Sequence, residues 1–481
     1  MADTTTQLAV IGAGPGGYAA AFLAADLGMS VTLIDEEKNP GGVCLYRGCI
    51  PSKALLHVAR LLDETRHASA WGIEFGPPRI DLERLRAFKT GVVEKLTGGL
   101  GQLSRQRKID YVRGRGEILD PHTLSVATPD GPRRVQFDHA ILATGSTPVR
   151  IPNLPDDPRV IDSTGALDLA DVPPRLLVVG GGYIGLELGT VYAALGSRVT
   201  VVEMTDGLLP GADRDLVSVL ARRIGSRFEA ILLATKVTGV RSAPDGLAVA
   251  LEGPDGAVPE REFDKVLVSV GRRPNSRIPG LERTNVKLTH SGFIEVDEQR
   301  RTAEPSLFAI GDVAGEPMLA HKASHEGRVA VEAIAGHKVA FEPAAIPAVV
   351  FTDPEIAWCG LTESQAKEQG IAVEVARFPW GASGRALTLD RTDGLTKLII
   401  EPATGRVLGM AVVGVGAGEL IAEGVLAVEM AALASDVALS IHPHPTLSET
   451  VMESADVFLG TATHIYRPKR RDEGAADRGR R

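Results

Sequence analysis

Cysteine is scarce in this chain, with three residues in 481. That is too few for a disulfide-stapled framework, and a chain of this length can bury a core without one. Aromatics are scarce as well, at 4%, which argues against an aromatic-rich β-sandwich and against a stacking platform for bases. Positive charge is in the minority. The formal net charge of −9 does not suit a general nucleic-acid binder. No run of about 18 apolar residues occurs, so no transmembrane helix is expected. The opening MADTTTQLAVIGAG has no basic n-region, apolar h-region or Arg-rich transit pattern. It leads almost at once into a strand, and a cytoplasmic location is the default expectation.

Glycine, by contrast, is abundant at 53 residues, as expected where α/β units turn on glycine. The length predicts about three domains. The most informative feature is an internal near-repeat. LAVIGAGPGGYAAAFLAADLGMSVTLID reads as strand, glycine turn, helix and a second strand ending at Asp35. RLLVVGGGYIGLELGTVYAALGSRVTVVE reads the same way and ends at Glu203. In both, the acid follows the last glycine of G-x-G-x-x-G at the same distance. One such motif alone is a weak signal; strand, helix and acid in register, twice over, make a strong one.

The physics is common to the two copies. Gly12 and Gly180 permit the tight turn, Gly14 and Gly182 admit a pyrophosphate, and Gly17 and Gly185 let helix pack closely on strand. Unpaired N–H groups and the helix dipole favour the negative charge. Asp35 and Glu203 can each accept a hydrogen bond from a ribose hydroxyl, and Glu203 would repel a 2′-phosphate, so the second site favours NAD over NADP. A ligand-free βαβ unit with tight glycine packing is the alternative, and two matched copies weigh against it.

Between the copies, residues 81–110 read as helix and 111–145 as short strands with a turn at Pro129-Asp130-Gly131. The stretch Pro148 to Pro158 reads as a crossing linker, and a further boundary falls near Gly271-Arg272-Arg273-Pro274. FEPAAIPAVVFTDPEIAWCG is extended, punctuated by proline, and opens a C-terminal domain. From Arg467 the tail is charged and aperiodic, so disorder is expected there.

Cys44 and Cys49 lie in GGVCLYRGCIPSKALLHVARLL. On a regular helix, residues five apart are separated by about 7.5 Å of rise, beyond the usual Cα span of a disulfide, about 4.4–6.8 Å. A bond between them therefore needs an irregular turn, which Gly41, Gly42 and Gly48 permit. A helix start lowers thiol pKa, and Lys53 shares a face with Cys49 if the helix has begun there. Two buried hydrophobes, a metal-binding pair and a redox pair are the alternatives. A position just after the first dinucleotide unit favours the last, and three cysteines without C-x-x-C make a poor metal site.

GGVCLYRGCIPSKALL resembles the active-site segment of the dihydrolipoamide dehydrogenase family, within the pyridine nucleotide–disulfide oxidoreductases. The resemblance runs from LAVIGAGPGGY to HPHPTLSE, and also takes in Gly114-Arg115-Gly116, Ala143-Thr144-Gly145, Val270-Gly271-Arg272, Ile310-Gly311-Asp312 and LAHKASHEG. It implies an α/β fold with two Rossmann-like dinucleotide-binding domains, for FAD and NAD, plus a C-terminal α+β dimerisation domain. The implied divisions are an FAD-binding domain at 1–150, an NAD-binding domain at 151–278, a central domain completing the FAD site at 279–345, an interface domain at 346–466 and a tail at 467–481.

The resemblance further implies a redox disulfide of Cys44 and Cys49, with Lys53 near the flavin and paired with Glu187. Gly12, Gly14, Gly17, Asp35, Gly41, Gly42, Lys53, Gly116, Thr144, Gly145, Asp312 and Ala320 are the implied FAD residues. Gly180, Gly182, Gly185, Glu203, Val237 and Gly271 are those for NAD. For Glu187 the local alternative is a first-turn glutamate favoured by the helix dipole. The chain departs from the family pattern between the cysteines, where Tyr46-Arg47 replaces the common Asn-Val. A cation there is expected to lower a thiol pKa further or to alter access.

His444 lies between Pro443 and Pro445, which disfavour helix around it. Thr446 to Glu449 fits a capping box, with Glu449 reaching back to Thr446. The resemblance instead makes His444 the base and Glu449 the group that orients it, with His442 a weaker candidate. Histidine suits this task because its pKa lies near neutrality. In the family this segment faces the partner subunit's disulfide, so catalysis is expected to need a homodimer. His321, His325 and Glu326 have spacing that suggests a metal but match a flavin-lining segment, and no metal is expected. Cys359 reads as a buried, inert strand residue.

The implied reaction is NAD-dependent oxidation of dihydrolipoamide. The implied partners are lipoyl domains and the acyltransferase core of a 2-oxo acid dehydrogenase complex, or a glycine-cleavage lipoyl carrier; no lipoyl-type segment precedes the first strand. Glutathione reduction usually draws on NADPH, which Glu203 opposes. Mercuric reduction uses an added C-terminal cysteine pair, which this sequence lacks. A catalytically idle scaffold flavoprotein would have no use for the full set Cys44, Cys49, Lys53, Glu187, His444 and Glu449.

Overall fold

The computed structural model describes residues 3–152 and 154–466. The charged tail expected to be disordered, 467–481, lies outside the described residues. The chain divides into two compact units, one of residues 1–208 with 228–342, the other of residues 209–227 with those from 343 onward.

In the first unit, β1 (Asp3–Ile11), α1 (Pro15–Asp26) and β2 (Val31–Asp35) form the first strand–helix–strand repeat. Leu8, Ala9 and Val10 of β1 are all fully buried, as in a parallel strand covered on both faces. The cysteine segment follows as α2 (Gly42–Arg47) and α3 (Cys49–His67). The expected helix at 81–110 is α4 (Leu82–Gln106), whose first turn is capped by the Asp81 carboxylate accepting from the Glu83 and Arg84 N–H groups. The short strands follow as β3 (Asp110–Arg113), β4 (Arg115–Asp120), β5 (Thr123–Thr128) and β6 (Gly131–Leu142). Pro129 and Asp130 turn the chain from β5 to β6, with Thr128 opposite Gly131.

The sheet runs β3-β2-β1-β6-β5-β4, and Leu307–Ala309 adds alongside β6. That late strand leads to the helix Ala320–Ile334, which packs on α1. Glycine sets how closely the two helices approach. A Cβ at Gly16 would meet the Ala323 carbonyl at 2.9 Å, and one at Gly327 would meet the Gly16 carbonyl at 2.7 Å.

The second repeat is Arg175–Val179, Tyr183–Leu195 and Arg198–Val202. Its strands belong to a five-stranded parallel sheet beside a three-stranded antiparallel sheet spanning Lys236 to Phe263. The two expected crossing points pair with each other: Ser146–Pro148 lies antiparallel to Arg272–Pro274. The chain thus leaves and re-enters the first sheet through one short ribbon.

The second unit holds a five-stranded antiparallel sheet, in the spatial order Ala348–Val350, Glu355–Gly360, Val407–Gly414, Leu395–Ile400, Glu374–Pro379. Trp380 is fully buried at its centre. Gly394 and Gly414 make room for the indole, since a Cβ on either would fall within 2.3 Å of a ring carbon. The helix Arg214–Gly225 groups here too, although it lies in the stretch expected to form the NAD-binding domain.

The helix packs on the strands Val407–Gly414 and Glu355–Gly360, with Leu216, Val217, Leu220 and Ile224 buried, and a buried charge cluster lies at its start. Lys397 is completely buried, and its Nζ lies 2.8 Å from Asp213 Oδ2, 2.8 Å from Asp215 Oδ1 and 3.2 Å from Glu363 Oε2. The three carboxylates converge as they would on a metal ion, and the ammonium stands at their centre. Removing one partner from such a cluster costs far more than replacing it whole. Lys397→Ala is expected to destabilise this unit by about 3–5 kcal/mol. Lys397→Met combined with Asp213→Asn, Asp215→Asn and Glu363→Gln, which replaces the whole set, should cost clearly less. The tryptophan-fluorescence midpoint in urea reads both, because Trp358 and Trp380 lie in this unit; equal losses would contradict the cluster's role.

Candidate active site

The site begins with a break between two helices. α2 ends at Arg47 and α3 begins at Cys49, with Gly48 alone between them. A Cβ at Gly48 would sit 2.9 Å from the Val43 carbonyl and 3.2 Å from the Cys44 Cα, so glycine is what lets the chain close back on Cys44. This is the irregular turn that a Cys44–Cys49 bond requires. The two thiols lie within hydrogen-bonding reach of each other. Pro51 falls in the first turn of α3, where its missing N–H leaves no intrahelical bond unmade.

The environment separates the two sulfurs. The hydrogen bond from Cys44 does most to lower the Cys49 pKa, burial opposes it and the Lys53 ammonium assists, bringing Cys49 down to about 7. The same hydrogen bond, with burial added, pushes Cys44 up. Cys49 is also the first residue of a 19-residue helix, where the dipole favours an anion. In the reduced pair, Cys49 is therefore the sulfur favoured to ionise and Cys44 the one that keeps its proton.

Lys53, one turn along α3, places Nζ 2.8 Å from Glu187 Oε2. Ser52 Oγ donates to the same oxygen at 3.1 Å. Glu187 is buried on the helix of the second repeat, and it meets Lys53 as the resemblance implied, in place of the first-turn role that was the local alternative. Ser52 carried no signal in the sequence beyond its place beside Lys53.

These groups line a cavity of about 830 Å³ in the first unit. Gly12, Gly14, Gly17, Asp35, Gly42, Gly116, Thr144, Gly145, Asp312 and Ala320 line it with them. Gly41 stands behind the wall: its N–H donates to the Ala13 carbonyl, and Thr97, Leu45 and Tyr46 crowd the position of a Cβ. Gly12 has φ +99°, and a Cβ at Gly17 would meet the Gly12 carbonyl at 1.8 Å. The cradle thus keeps side chains away from the turn, as close approach of a pyrophosphate needs. Ser146 Oγ donates to Asp312 Oδ2 at 2.5 Å and accepts from Arg272 Nε at 2.8 Å, a contact that the sequence motifs did not reveal. The donor set and volume fit a flavin dinucleotide.

The second turn repeats the first. Gly180 has φ +110°, and a Cβ at Gly185 would meet the Gly180 carbonyl at 2.3 Å; Gly182 is the N-cap of the helix. The two acids also behave alike. Asp35 Oδ2 accepts from the Ala13 N–H at 2.6 Å, and Glu203 Oε2 accepts from the Gly181 N–H at 2.7 Å. Each carboxylate braces its own glycine turn, a role the ribose argument did not include. Val237 lies on Lys236–Ala243 opposite Leu251, and the Gly271 carbonyl accepts from the Val149 N–H.

In the second unit, His444 Nδ1 lies 2.9 Å from Glu449 Oε1, with the imidazole 74% exposed. The other oxygen of Glu449 accepts from the Thr446 N–H at 2.8 Å. The back-contact of the expected box and the histidine orientation are both present, although the helix itself starts at Glu449 with Ser448 as its N-cap. The Thr446 hydroxyl instead donates to the Pro443 carbonyl, so half of the expected box forms. Burial opposes ionisation of Glu449, but the Thr446 and His444 donors outweigh it and hold the carboxyl below its usual range. An ionised Glu449 keeps the proton on Nδ1 and leaves Nε2 to act as base. His442 has both ring nitrogens engaged, by the Ser440 carbonyl and by Glu423.

The metal reading of His321, His325 and Glu326 fails. Glu326 is fully buried, taken up by Arg300, Lys322 and the Gly311 N–H. Cys359 is buried in its strand, and desolvation pushes it up to about 12.

The sequence pattern of the pyridine nucleotide–disulphide oxidoreductases matches residues 6–327, and that of their dimerisation domain matches residues 346–455. The chain belongs to this family. A dihydrolipoyl dehydrogenase of Vibrio cholerae is 49% identical over 97% of this chain and 98% of its own length. One from Geobacillus stearothermophilus is 46% identical over 96% and 97%. Among solved structures, LpdA of Mycobacterium tuberculosis superposes with a TM-score of 0.87 at 29% identity, covering 94% of this chain and 99% of its own. The Cu(II) complex of the flavoprotein disulfide reductase RclA from Escherichia coli gives 0.84 at 27%, covering 95% and 99%. Membership in a family with a dimerisation domain supports a homodimer. No helix among the described residues is long and apolar enough to cross a membrane.

Lys53→Met removes the cation beside Cys49. In the reduced protein the midpoint of thiolate formation, read by its absorbance against pH, is expected near 7 in the unaltered chain. The variant should shift it upward by roughly tenfold in proton affinity, about 1.4 kcal/mol. An unmoved midpoint would contradict the assignment of Lys53.

Proposed function

We propose that the chain is a dihydrolipoyl dehydrogenase, oxidising protein-bound dihydrolipoamide to lipoamide with NAD as the final acceptor. The observation that carries this reading is the Cys44–Cys49 pair at a helix start, with Lys53 and Glu187 beside it, inside a glycine-turn cavity. Relatives of that printed name along nearly the whole chain support it.

The residues divide the work as follows. His444, with Nδ1 held by Glu449, takes a proton from one substrate thiol. The resulting thiolate attacks Cys44 Sγ, the disulfide breaks and Cys49 leaves as thiolate, which Lys53 stabilises. The second substrate thiol then attacks the mixed disulfide, closing lipoamide and releasing Cys44. The first glycine turn, Asp35, Gly116, Asp312 and Ala320 would hold FAD, and Gly180, Gly182, Gly185, Glu203, Val237 and Gly271 would hold NAD. Bound FAD supplies the two-electron relay between dithiol and nicotinamide.

His444 is exposed and, by the family resemblance, would serve the disulfide of the partner protomer. Exposed apolar side chains on the same unit, including Leu426, Met430, Leu439 and Ile441, suit a surface that another copy covers. The lipoyl group would arrive on a lipoyl domain of a 2-oxo acid dehydrogenase complex or on the glycine-cleavage carrier, and a cytoplasmic setting suits a working dithiol.

Steady-state assays with free dihydrolipoamide, lipoylated domains and glutathione test the reading. Turnover with NAD should exceed that with NADP, and Glu203→Ala should narrow the gap. His444→Gln should lower kcat/KM by about 10²- to 10⁴-fold, and Cys44→Ser should abolish dithiol oxidation. Faster turnover with glutathione and NADPH would overturn the proposal.

A further inference from the structure

Between the two cysteines stand Tyr46 and Arg47, and neither points its chemistry at the sulfurs. Arg47 Nη1 forms an ion pair with Glu37 Oε1 at 2.7 Å. Tyr46 Oη donates to the Asn39 carbonyl at 3.1 Å and accepts from the Asn39 N–H at 3.3 Å. Both contacts reach back to the short loop between β2 and α2. The cation expected to act on a thiol is thus neutralised by Glu37, and the leading influences on both sulfurs come from elsewhere.

That loop joins the two ends of the site. It starts at Asp35, whose carboxylate holds the Ala13 and Glu37 N–H groups, and it ends where α2 brings in Cys44. Tyr111 Oη donates to the Glu37 carbonyl from β3, and the Gly41 N–H donates to the Ala13 carbonyl. The contacts from α2 add to the ties that the first sheet, the glycine turn and Gly101 of α4 already give the loop. With them, the loop, the first glycine turn and the Cys44 helix form a closed ring of hydrogen bonds.

We propose that Arg47 and Tyr46 are positioning residues that clasp this loop and so retain the dinucleotide in the cavity. The proposal rests on the reading that the cavity holds FAD. The ion pair is partly exposed, so its effect is modest and sensitive to salt. The Tyr46 contacts, made to backbone, are not screened in the same way.

The test is the rate at which flavin leaves the purified holoenzyme, followed by recovery of flavin fluorescence. Arg47→Ala and Glu37→Ala should each release flavin about twofold to fivefold faster, and the double variant should be no faster than either one. Arg47→Lys, or the exchange Arg47→Glu with Glu37→Arg, should restore much of the retention. Tyr46→Phe should add a further acceleration to Arg47→Ala. Molar salt should speed release from the unaltered protein and leave Arg47→Ala unmoved. Strictly additive effects of Arg47→Ala and Glu37→Ala, or an effect of Arg47→Ala alone, would overturn the clasp, the latter by making Arg47 a direct ligand. Purified protein that carries no flavin and takes none up would instead overturn the reading of the cavity.

Discussion

Everything chemical in this protein depends on one local departure from helical geometry. At Gly48 the chain stops one helix and starts another, and only there can residues five apart bring their sulfurs together. The same break makes Cys49 a helix start while Cys44 stays inside a short turn of helix. One sulfur then gains the dipole, the donor from its neighbour and the Lys53 cation, whereas the other gives up that hydrogen bond and faces an adjacent negative charge. A symmetric pair of thiols becomes an asymmetric pair because of where one glycine sits.

Two strand–helix repeats supply the frame. Each turns on a glycine in the left-handed region, and each acid braces the turn it follows. The second repeat does more than present its own turn. Its helix contributes Glu187 to the first cavity, where Lys53 and Ser52 both reach the same carboxylate oxygen. The two nucleotide-binding units are thereby joined through the charge that faces the cysteines. Loss of Glu187 would alter the thiol site as well as the contact between helices.

Much of this was legible in sequence because it is local. Glycine spacing, strand patterning and the acid at the strand end are fixed by backbone geometry within about 30 residues, and Cys49 and Lys53 share a face by helix periodicity. At Glu449 the local reading and the family resemblance each account for one contact: one carboxylate oxygen takes the Thr446 N–H and the other the His444 ring. What the sequence hid is long-range. Ser52 and Glu187 lie 135 positions apart, and no motif links Lys397 to Asp213 across the chain. The grouping of Arg214–Gly225 with the C-terminal sheet goes with its buried apolar face and that ammonium, not with any boundary signal. The partner of Arg47 was hidden as well, since Glu37 lies on a loop with no regular periodicity.

The central claim is that two sulfurs and one flavin act in series, each storing an electron pair. An anaerobic titration of the purified protein with dithionite, which reduces flavin without needing the disulfide, counts those pairs for each protomer. The account predicts uptake of two pairs by the unaltered chain and loss of one of them in Cys49→Ser. Equal uptake by both proteins would contradict it.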